Sequence, residues 1–391
     1  MRSSPPQPRL DILLPVKEIM TSANAGAIAT IVHDMVHLGS DDFDFRVYGR
    51  TLDTQALCGE AYRGLNPTLP FIFGRNMGFG RAYLNSLKAD SLPDAIEVHG
   101  RCQVARLIAR RRPDIPVFLY LHNDPRDMDG AKTAAERQWL LKHLAGIFCV
   151  SEYLASCFSE GLDISQDVHD KIIVIPNGVE RRLTCPPQKT KTIVIAGRMV
   201  PEKGVLQACQ ALIPVLQRHQ DWTLHIIGGK GFVSQSPSAY EQKVRNILHP
   251  VSRQAFMHGF MDRQKLQHYQ EEAGIIISPS LWAEPAGLTN LEALASGAAL
   301  ITTRTGGSPE YTSGRACLID VDDNHDYENY SFPDFQNQLS KAAEELISSD
   351  DRRYELQALA WADFPFTSHQ MSKLAVNARK NRLKRFTKSA Q

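Results

Sequence analysis

The stretch GIIISPSLWAEPAGLTNLEALASGAALITTRTGGSPE, residues 274–310, decides how the rest of the chain is read. Ile275-Ile276-Ile277 is an apolar run suited to a buried strand, and Ala298 to Ile301 is a second one that leads to Gly306-Gly307. Between them Pro285 and Gly287 close a loop, and the residues from Leu288 on are rich in Leu and Ala, which favour helix. The order is strand, loop, helix, strand. This predicts an α/β fold.

Two carboxylates stand out in this unit. Glu284 lies in the loop and Glu292 on the helix, eight positions later. With a helix beginning near Leu288, Glu292 sits about 6 Å along its axis at roughly 1.5 Å per residue. The amides of Gly287, Leu288 and Thr289 would then face an anion at the positive end of the helix. One turn on, Glu292 could accept from a ribose diol, while Glu284 would meet a hydroxyl of an attached sugar. Either acid alone is ordinarily a solvated surface group. Their combination with the Pro-x-Gly loop and two flanking strands suits a nucleotide diphosphate sugar.

A second pattern supports the same ligand. Thr192 to Ala196 reads as a strand, and Gly197-Arg-Met-Val-Pro-Glu-Lys-Gly204 follows it before a helix from about Val205 to Gln217. Each opposite charge at 4 Å is worth about 4 kcal/mol at an effective dielectric near 20, before desolvation. Arg198 and Lys203 could therefore offset the two charges of a diphosphate. Taken singly, each is a common surface charge.

Glu284-Pro-Ala-Gly-Leu-Thr-Asn-Leu-Glu292 resembles the E-x7-E signature of the family-4 retaining glycosyltransferases, and GRxxxxKG resembles that family's diphosphate clamp. Ile175-Pro-Asn-Gly-Val179 and Gly306-Gly-Ser-Pro-Glu310 are also family-like. The resemblance spans nearly the whole chain and implies the GT-B architecture, two Rossmann-like domains facing each other across a cleft whose closure excludes water. It implies a donor held by Arg198, Lys203, Glu284, Gly287, Leu288, Thr289 and Glu292, with Gly26 approaching a phosphate where many members carry two glycines. It implies that His122, Glu284, Arg198 and Lys203 serve transfer, His122 lying close to the moving sugar. Retention would proceed without a covalent intermediate, the leaving phosphate taking the acceptor proton. The family usually has Phe where this chain has Ala286, so the wall near the donor sugar differs here.

Length and charge set wider bounds. A chain of 391 residues suits two domains of about 190 residues each. The expected boundaries are 1–183 for an acceptor-binding domain, 190–365 for a donor-binding domain, and 366–391 for a helix crossing back to the first domain with a basic tail. The 44 basic and 43 acidic residues nearly cancel, so no global field argues for nucleic acid. Seven scattered cysteines, without CxxC or metal-ligand spacing, read as reduced core residues of a cytoplasmic protein. The polar, Pro-rich start and the lack of any run of 18 apolar residues predict neither signal peptide nor membrane span.

In the first half, Leu10 to Pro15 reads as a buried strand and Ala27 to Leu38 as a helix stopped by Gly39. Phe45–Tyr48, Ala95–His99, Val117–Leu121, Ile147–Ser151 and Ile172–Ile175 read as further strands, and Gln103–Arg111 as a helix. Gly74 to Arg81 reads as a glycine-rich loop whose Arg75 and Arg81 could hold an acidic acceptor group. His122 ends a strand, where open α/β sheets place ligand-binding residues; a His before a turn is also a common structural hydrogen-bonding residue. His99 has a similar place. In the second half, Leu224 to Gly229 and Phe256 to Phe260 read as strands, the latter ending near a base pocket. Arg181 to Thr192 has the composition of a linker, and 336–349 and 352–382 are helical by periodicity.

Other readings compete. The triplets Asp42/Asp44, Asp127/Asp129 and Asp320/Asp322 could hold a divalent metal, but each falls at a turn or past the site, where Asp is favoured for its own hydrogen bonds. No metal and no cofactor is expected. Glu284 and Glu292 as glycosidase carboxylates would leave the cationic loop unexplained. A nucleotide-sugar epimerase and a non-catalytic nucleotide-sugar sensor stay as alternatives. The basic tail Arg379–Lys388, with Arg106, Arg110, Arg111 and Arg112, makes an anionic membrane surface a candidate partner. That would put the protein on the inner membrane face, with a glycan or lipid-linked acceptor such as lipopolysaccharide.

Overall fold

The computed structural model describes residues 6–22, 24–163, 169–231, 236–312, 314–362 and 364–389. The chain divides into two compact units, Met1–Gly178 with Ser368–Gln391, and Val179–Thr367. Each is an α/β unit built on one parallel sheet.

The first unit carries β1 (Arg9–Leu13), β2 (Asp44–Arg50), β3 (Tyr62–Leu65), β4 (Ala95–His99), β5 (Val117–Leu121), β6 (Gly146–Cys149) and β7 (Ile172–Val174). They pair in the order β3-β2-β1-β4-β5-β6-β7, all parallel. The direction of winding reverses between β1 and β4. At such a reversal the loops leaving the carboxyl ends diverge and open a crevice. The helix Ala27–Leu38 buries Ile28, Ile31, Val32, Met35 and Val36 at helical spacing, and Gly39 ends it with its N–H on the Met35 carbonyl at 3.0 Å.

One expectation for this unit is corrected. Residues 75–81 are not a loop but the start of a helix, Arg75–Ser86. Gly78 and Gly80 serve packing: a Cβ on Gly78 would meet the Thr68 carbonyl oxygen at 2.7 Å, and one on Gly80 would meet Val104 Cγ1 at 3.0 Å. The sequence signal of flexibility was in fact a signal of close approach.

The second unit carries β8 (Thr190–Ala196), β9 (Thr223–Ile227), β10 (Ala255–Gly259), β11 (Ala273–Ser278), β12 (Ala299–Thr303) and β13 (Ala316–Ile319). Their order is β10-β9-β8-β11-β12-β13, again all parallel, with the reversal between β8 and β11. Ile275 and Ile277 pack with Leu212, Val215 and Leu339 on one face, while Ile276 packs with Leu291 and Leu294 on the other. Two-sided burial explains the unbroken apolar run. Each of these isoleucines contributes about 1.5–3 kcal/mol through burial.

The stretch 181–192 is pinned down and does not behave as a free linker. The Arg181 guanidinium donates to the carbonyls of Ala295, Ala360 and Trp361 and lies 4.2 Å from the Trp361 ring centroid. Lys189 Nζ donates to the carbonyls of Glu271 and Ser296 at 2.8 and 2.7 Å. The helical span 352–382 is two helices, Asp350–Trp361 and Ser368–Ser389, with Pro365 in the break between them. Of the seven cysteines, Cys185 is exposed, so the reading of all seven as core residues is corrected there.

Candidate functional site

The reversal between β8 and β11 sets two loops side by side. Leu281 N–H donates to the Glu202 carbonyl at 3.0 Å, tying the loop after β11 to the loop after β8. Gly204 has φ of 66° and lies so close to the Pro279 carbonyl oxygen that a Cβ would meet it at 2.0 Å. Only glycine fits both constraints. On this scaffold Lys203 Nζ donates to Glu284 Oε2, which also accepts from Ser280 Oγ at 2.9 Å and Trp282 Nε1 at 3.0 Å. Burial by itself would raise the Glu284 carboxyl. The Lys203 charge and these three hydrogen bonds outweigh it and hold the group below its usual range. From the other side Gly306, with φ of 54°, lies against the Glu284 backbone, and Gly307 N–H donates to the Glu284 carbonyl at 2.8 Å.

The helix Leu288–Ala295 begins beside this pair, with Gly287 at its N-cap and no side chain capping it. Gly287, Leu288 and Thr289 therefore lie at the positive end of the helix. Arg198 is exposed, its nearest acid being Glu202 at 3.7 Å, whereas Lys203 is turned onto Glu284. The two cations do not share a partner here. Glu292 lines a different recess, together with Arg263, Gln270 and the segment Val179–Leu183. Its carboxylate accepts from Gln270 Nε2 at 3.4 Å and lies 3.8 Å from Arg263. Burial raises the Glu292 carboxyl, and Arg263 with Gln270 offsets that only in part. A further hollow lies at the carboxyl ends of β9 and β10, lined by Gly228, Gly229, Gly259, Phe260 and Arg245.

In the first unit, Gly26 is the N-cap of helix Ala27–Leu38. A carboxylate of the chain's own already lies there: Glu18 Oε2 accepts from Ala29 N–H at 3.3 Å, and a Cβ on Gly26 would meet it at 2.5 Å. His122 follows β5 and is held from behind. Its Nε2 lies 2.9 Å from His99 Nδ1, and His99 Nε2 lies 2.8 Å from Glu97 Oε1. Arg379, from the last helix, donates to both oxygens of Glu97 at 2.8 and 2.6 Å. Glu97, His99 and Arg379 are completely buried. Burial alone would raise Glu97. The Arg379 charge and the hydrogen bonds from His99 and Arg379 bring it down to about 2. Burial, with His99 beside it, pushes His122 well below 6.5.

Two family models match successive parts of the chain: Glycosyltransferase Family 4 over residues 30–183 and Glycosyl transferases group 1 over residues 180–330. The chain belongs to the family-4 glycosyltransferases, of GT-B fold. It is 27% identical over 263 residues to the glycosyltransferase-family protein YtcC of Bacillus subtilis, spanning 62% of this chain and 63% of that relative. It is 22% identical over 230 residues to the lipopolysaccharide 1,2-N-acetylglucosaminetransferase of Salmonella typhimurium, 55% of this chain and 56% of that one. HepE from Anabaena, solved in complex with UDP and glucose, superposes with a TM-score of 0.68 at 14% identity, covering 96% of this chain and all of that one.

In this chain most of the basic groups that suggested a membrane surface have partners within the protein. Arg379 and Arg382 are buried, Arg382 donating to the Ala145 carbonyl at 2.6 Å, while Lys380 pairs with Asp42 and Arg385 with Asp170. Arg106 and Arg110 stack over Trp139, and Arg112 pairs with Asp114. The Asp triplets have other partners: Asp42 has Lys380, Asp129 has Lys132, Asp320 has Arg304, and Asp322 accepts from the N–H groups of Asp334 and Phe335. Among the described residues no group of three His, Cys, Asp or Glu side chains gathers to hold a metal, and no helix is long and apolar enough to cross a membrane. Ser280, Trp282, Arg263, Gln270, Glu18, Glu97 and Arg379 carried no sequence motif. Only the alternation Glu97-x-His99 on one strand face hinted at the buried network.

The depressed His122 group fixes a pH dependence. The unfolded chain takes up a proton near pH 6.5 that the folded state refuses, so the unfolded state binds more protons and stability falls as pH drops below that value. In differential scanning calorimetry the midpoint should fall between pH 7 and pH 5, and His122→Asn should show a shallower fall; an unchanged slope in the variant would contradict the assignment.

Proposed function

We propose that this protein is a retaining, metal-independent hexosyltransferase that moves a sugar from a nucleotide diphosphate donor to an acceptor hydroxyl. The observation that carries the reading is the Lys203–Glu284 pair beside the uncapped start of helix Leu288–Ala295, at the reversal between β8 and β11. Arg198, Lys203 and the amides from Gly287 to Thr289 supply the counter-charge for the departing diphosphate, the largest usual contribution in such transfers. The base occupies the hollow at the ends of β9 and β10. Glu292 accepts from the ribose diol, and Glu284 offers Oε1 to a sugar hydroxyl. The bond from the anomeric carbon to the phosphate oxygen breaks, the acceptor oxygen bonds to the same face, and the acceptor proton passes to the leaving phosphate. His122 contacts the moving sugar. The UDP in the Anabaena neighbour supports a uridine nucleotide as the first donor to try.

The donor reading is tested by thermal-shift screening of UDP-, GDP- and ADP-sugars, followed by turnover in the presence of EDTA. Loss of one charged contact is worth about 1.5–3 kcal/mol, so Lys203→Ala should weaken UDP binding roughly 10- to 100-fold. Glu284→Ala should abolish transfer and leave nucleotide affinity within a few fold. Full turnover in Glu284→Ala would refute its role, and nucleotide-sugar isomerisation without an acceptor would favour an epimerase.

The acceptor reading rests on an exposed apolar projection between β3 and the helix Arg75–Ser86. Phe71 and Ile72 are 82% and 63% exposed, with Leu69 beside them. From Ala61 to Ala89 the chain has Arg63, Arg75, Arg81 and Lys88 and no acid. Apolar insertion combined with cationic flanks suits an anionic bilayer carrying a lipid-linked acceptor, the two-signal requirement of stable surface binding. The Salmonella relative's lipopolysaccharide substrate supports that class. In co-sedimentation with vesicles of anionic phospholipid at physiological salt, the protein should pellet and Phe71→Ser/Ile72→Ser should stay in solution; equal partition of both would reject the surface.

A further inference from the structure

The last helix of the chain returns to the first unit and buries Arg379 against Glu97, two contacts removed from His122. A buried ion pair at this depth makes the protonation pattern beyond it readable. Arg379 is a permanent cation, and its bidentate contact neutralises the Glu97 carboxylate. A second cation on His99 would leave uncompensated charge in a site with no solvent exposure. His99 is therefore neutral. Its Nε2 carries the proton and donates to Glu97 Oε1, which leaves His99 Nδ1 as a lone-pair acceptor. Only one partner can then donate across the 2.9 Å contact, and that is Nε2–H of His122. His122 is left with an unprotonated Nδ1.

The rings are held in register as well as in tautomer. His99, Tyr120 and His122 stack, with centroids 4.9 Å apart for His99–Tyr120, 4.9 Å for Tyr120–His122 and 5.1 Å for His99–His122. Rotation of the His122 ring would break the contact to His99. Among the described residues the network is also faced by Met35, whose sulfur lies 3.4 Å from an Arg379 nitrogen, by the Phe45 ring, 5.7 Å from the Arg379 guanidinium, and by the titratable Tyr120, whose hydroxyl donates to the Ile175 carbonyl at 3.4 Å.

We propose that Arg379, Glu97 and His99 are positioning residues that lock His122 as the Nε2–H tautomer, so that its bare Nδ1 accepts a hydrogen bond from a substrate hydroxyl. This rests on the reading of His122 as a sugar contact. It also gives the final helix a role in turnover, since its Arg379 sets the charge balance from which the tautomer follows. Orienting partners of a metal-bound imidazole matter by about 10- to 100-fold, and the same scale is adopted for His122.

Two measurements test this and separate it from the sugar-contact reading. In full-length protein labelled with ¹⁵N-histidine, and with His122 assigned by comparison with His122→Asn, the His122 resonances should show a protonated Nε2 and a bare Nδ1. A protonated Nδ1 or an imidazolium at neutral pH would overturn the relay, whatever the activity shows. In kinetics, Glu97→Gln should lower kcat by about 10- to 100-fold with little change in donor KM. The same substitution in a His122→Asn background should have no further effect, because the relay acts only through His122. Effects that multiply would mean a merely structural role. If Glu97→Gln does not fold, Glu97→Gln/Arg379→Met removes both charges together and should give the same non-additivity. If His122→Asn turns over normally, the sugar-contact reading fails while the tautomer measurement still decides the relay.

Discussion

The contact between Lys203 and Glu284 is the constraint on which the second unit's site depends. It joins the loop after β8 to the loop after β11, the two strands at which the sheet reverses direction. A half-buried carboxylate with three donors on one oxygen cannot be moved cheaply, because each lost partner leaves a buried charge less compensated. Gly204 and Gly306 press the surrounding backbone so close that the loop after β11 has few alternatives. Backbone contacts this close, with a carboxylate held by three donors, are the form that electrostatic preorganisation takes.

A second buried charge does the corresponding work in the first unit. Glu97 would be costly without Arg379, and Arg379 is carried by a helix distant in sequence from the strand it serves. This explains why part of the basic C-terminal segment is buried. Arg379 and Arg382 satisfy the first unit's interior, while Lys384, Arg385 and Lys388 on the same helix stay exposed. The exposed aromatic projection near Phe71 is a different kind of feature, since Phe71 and Ile72 stay mostly exposed.

Much of this architecture was legible in the sequence. Unbroken apolar runs such as Ile275–Ile277 marked strands buried on both faces, and Gly39 and Gly287 marked a helix end and a helix start. The loop positions of Arg198, Lys203 and Glu284 followed from the same alternation of strand and helix. What stayed hidden was partner choice across long sequence separations. Arg379 lies 282 positions from Glu97, and no local pattern distinguishes an arginine destined for burial from one in a surface run. Glycines misled in one place for a related reason: at Gly78 and Gly80 they mark close packing of a helix, which in sequence looks the same as a flexible loop. The sequence offers Lys203 as a partner for a diphosphate, and its pairing with Glu284 follows only from the fold.

A nucleotide diphosphate held in the second unit, between the loops after β8 and β11, would shield the amides it touches. Amide hydrogen exchange with and without UDP reads that shielding. Slowed exchange is expected in Gly197–Gly204, at Gly287–Thr289 and around Gly228 and Gly229. Protection confined to the start of helix Ala27–Leu38, with the second unit unchanged, would contradict it.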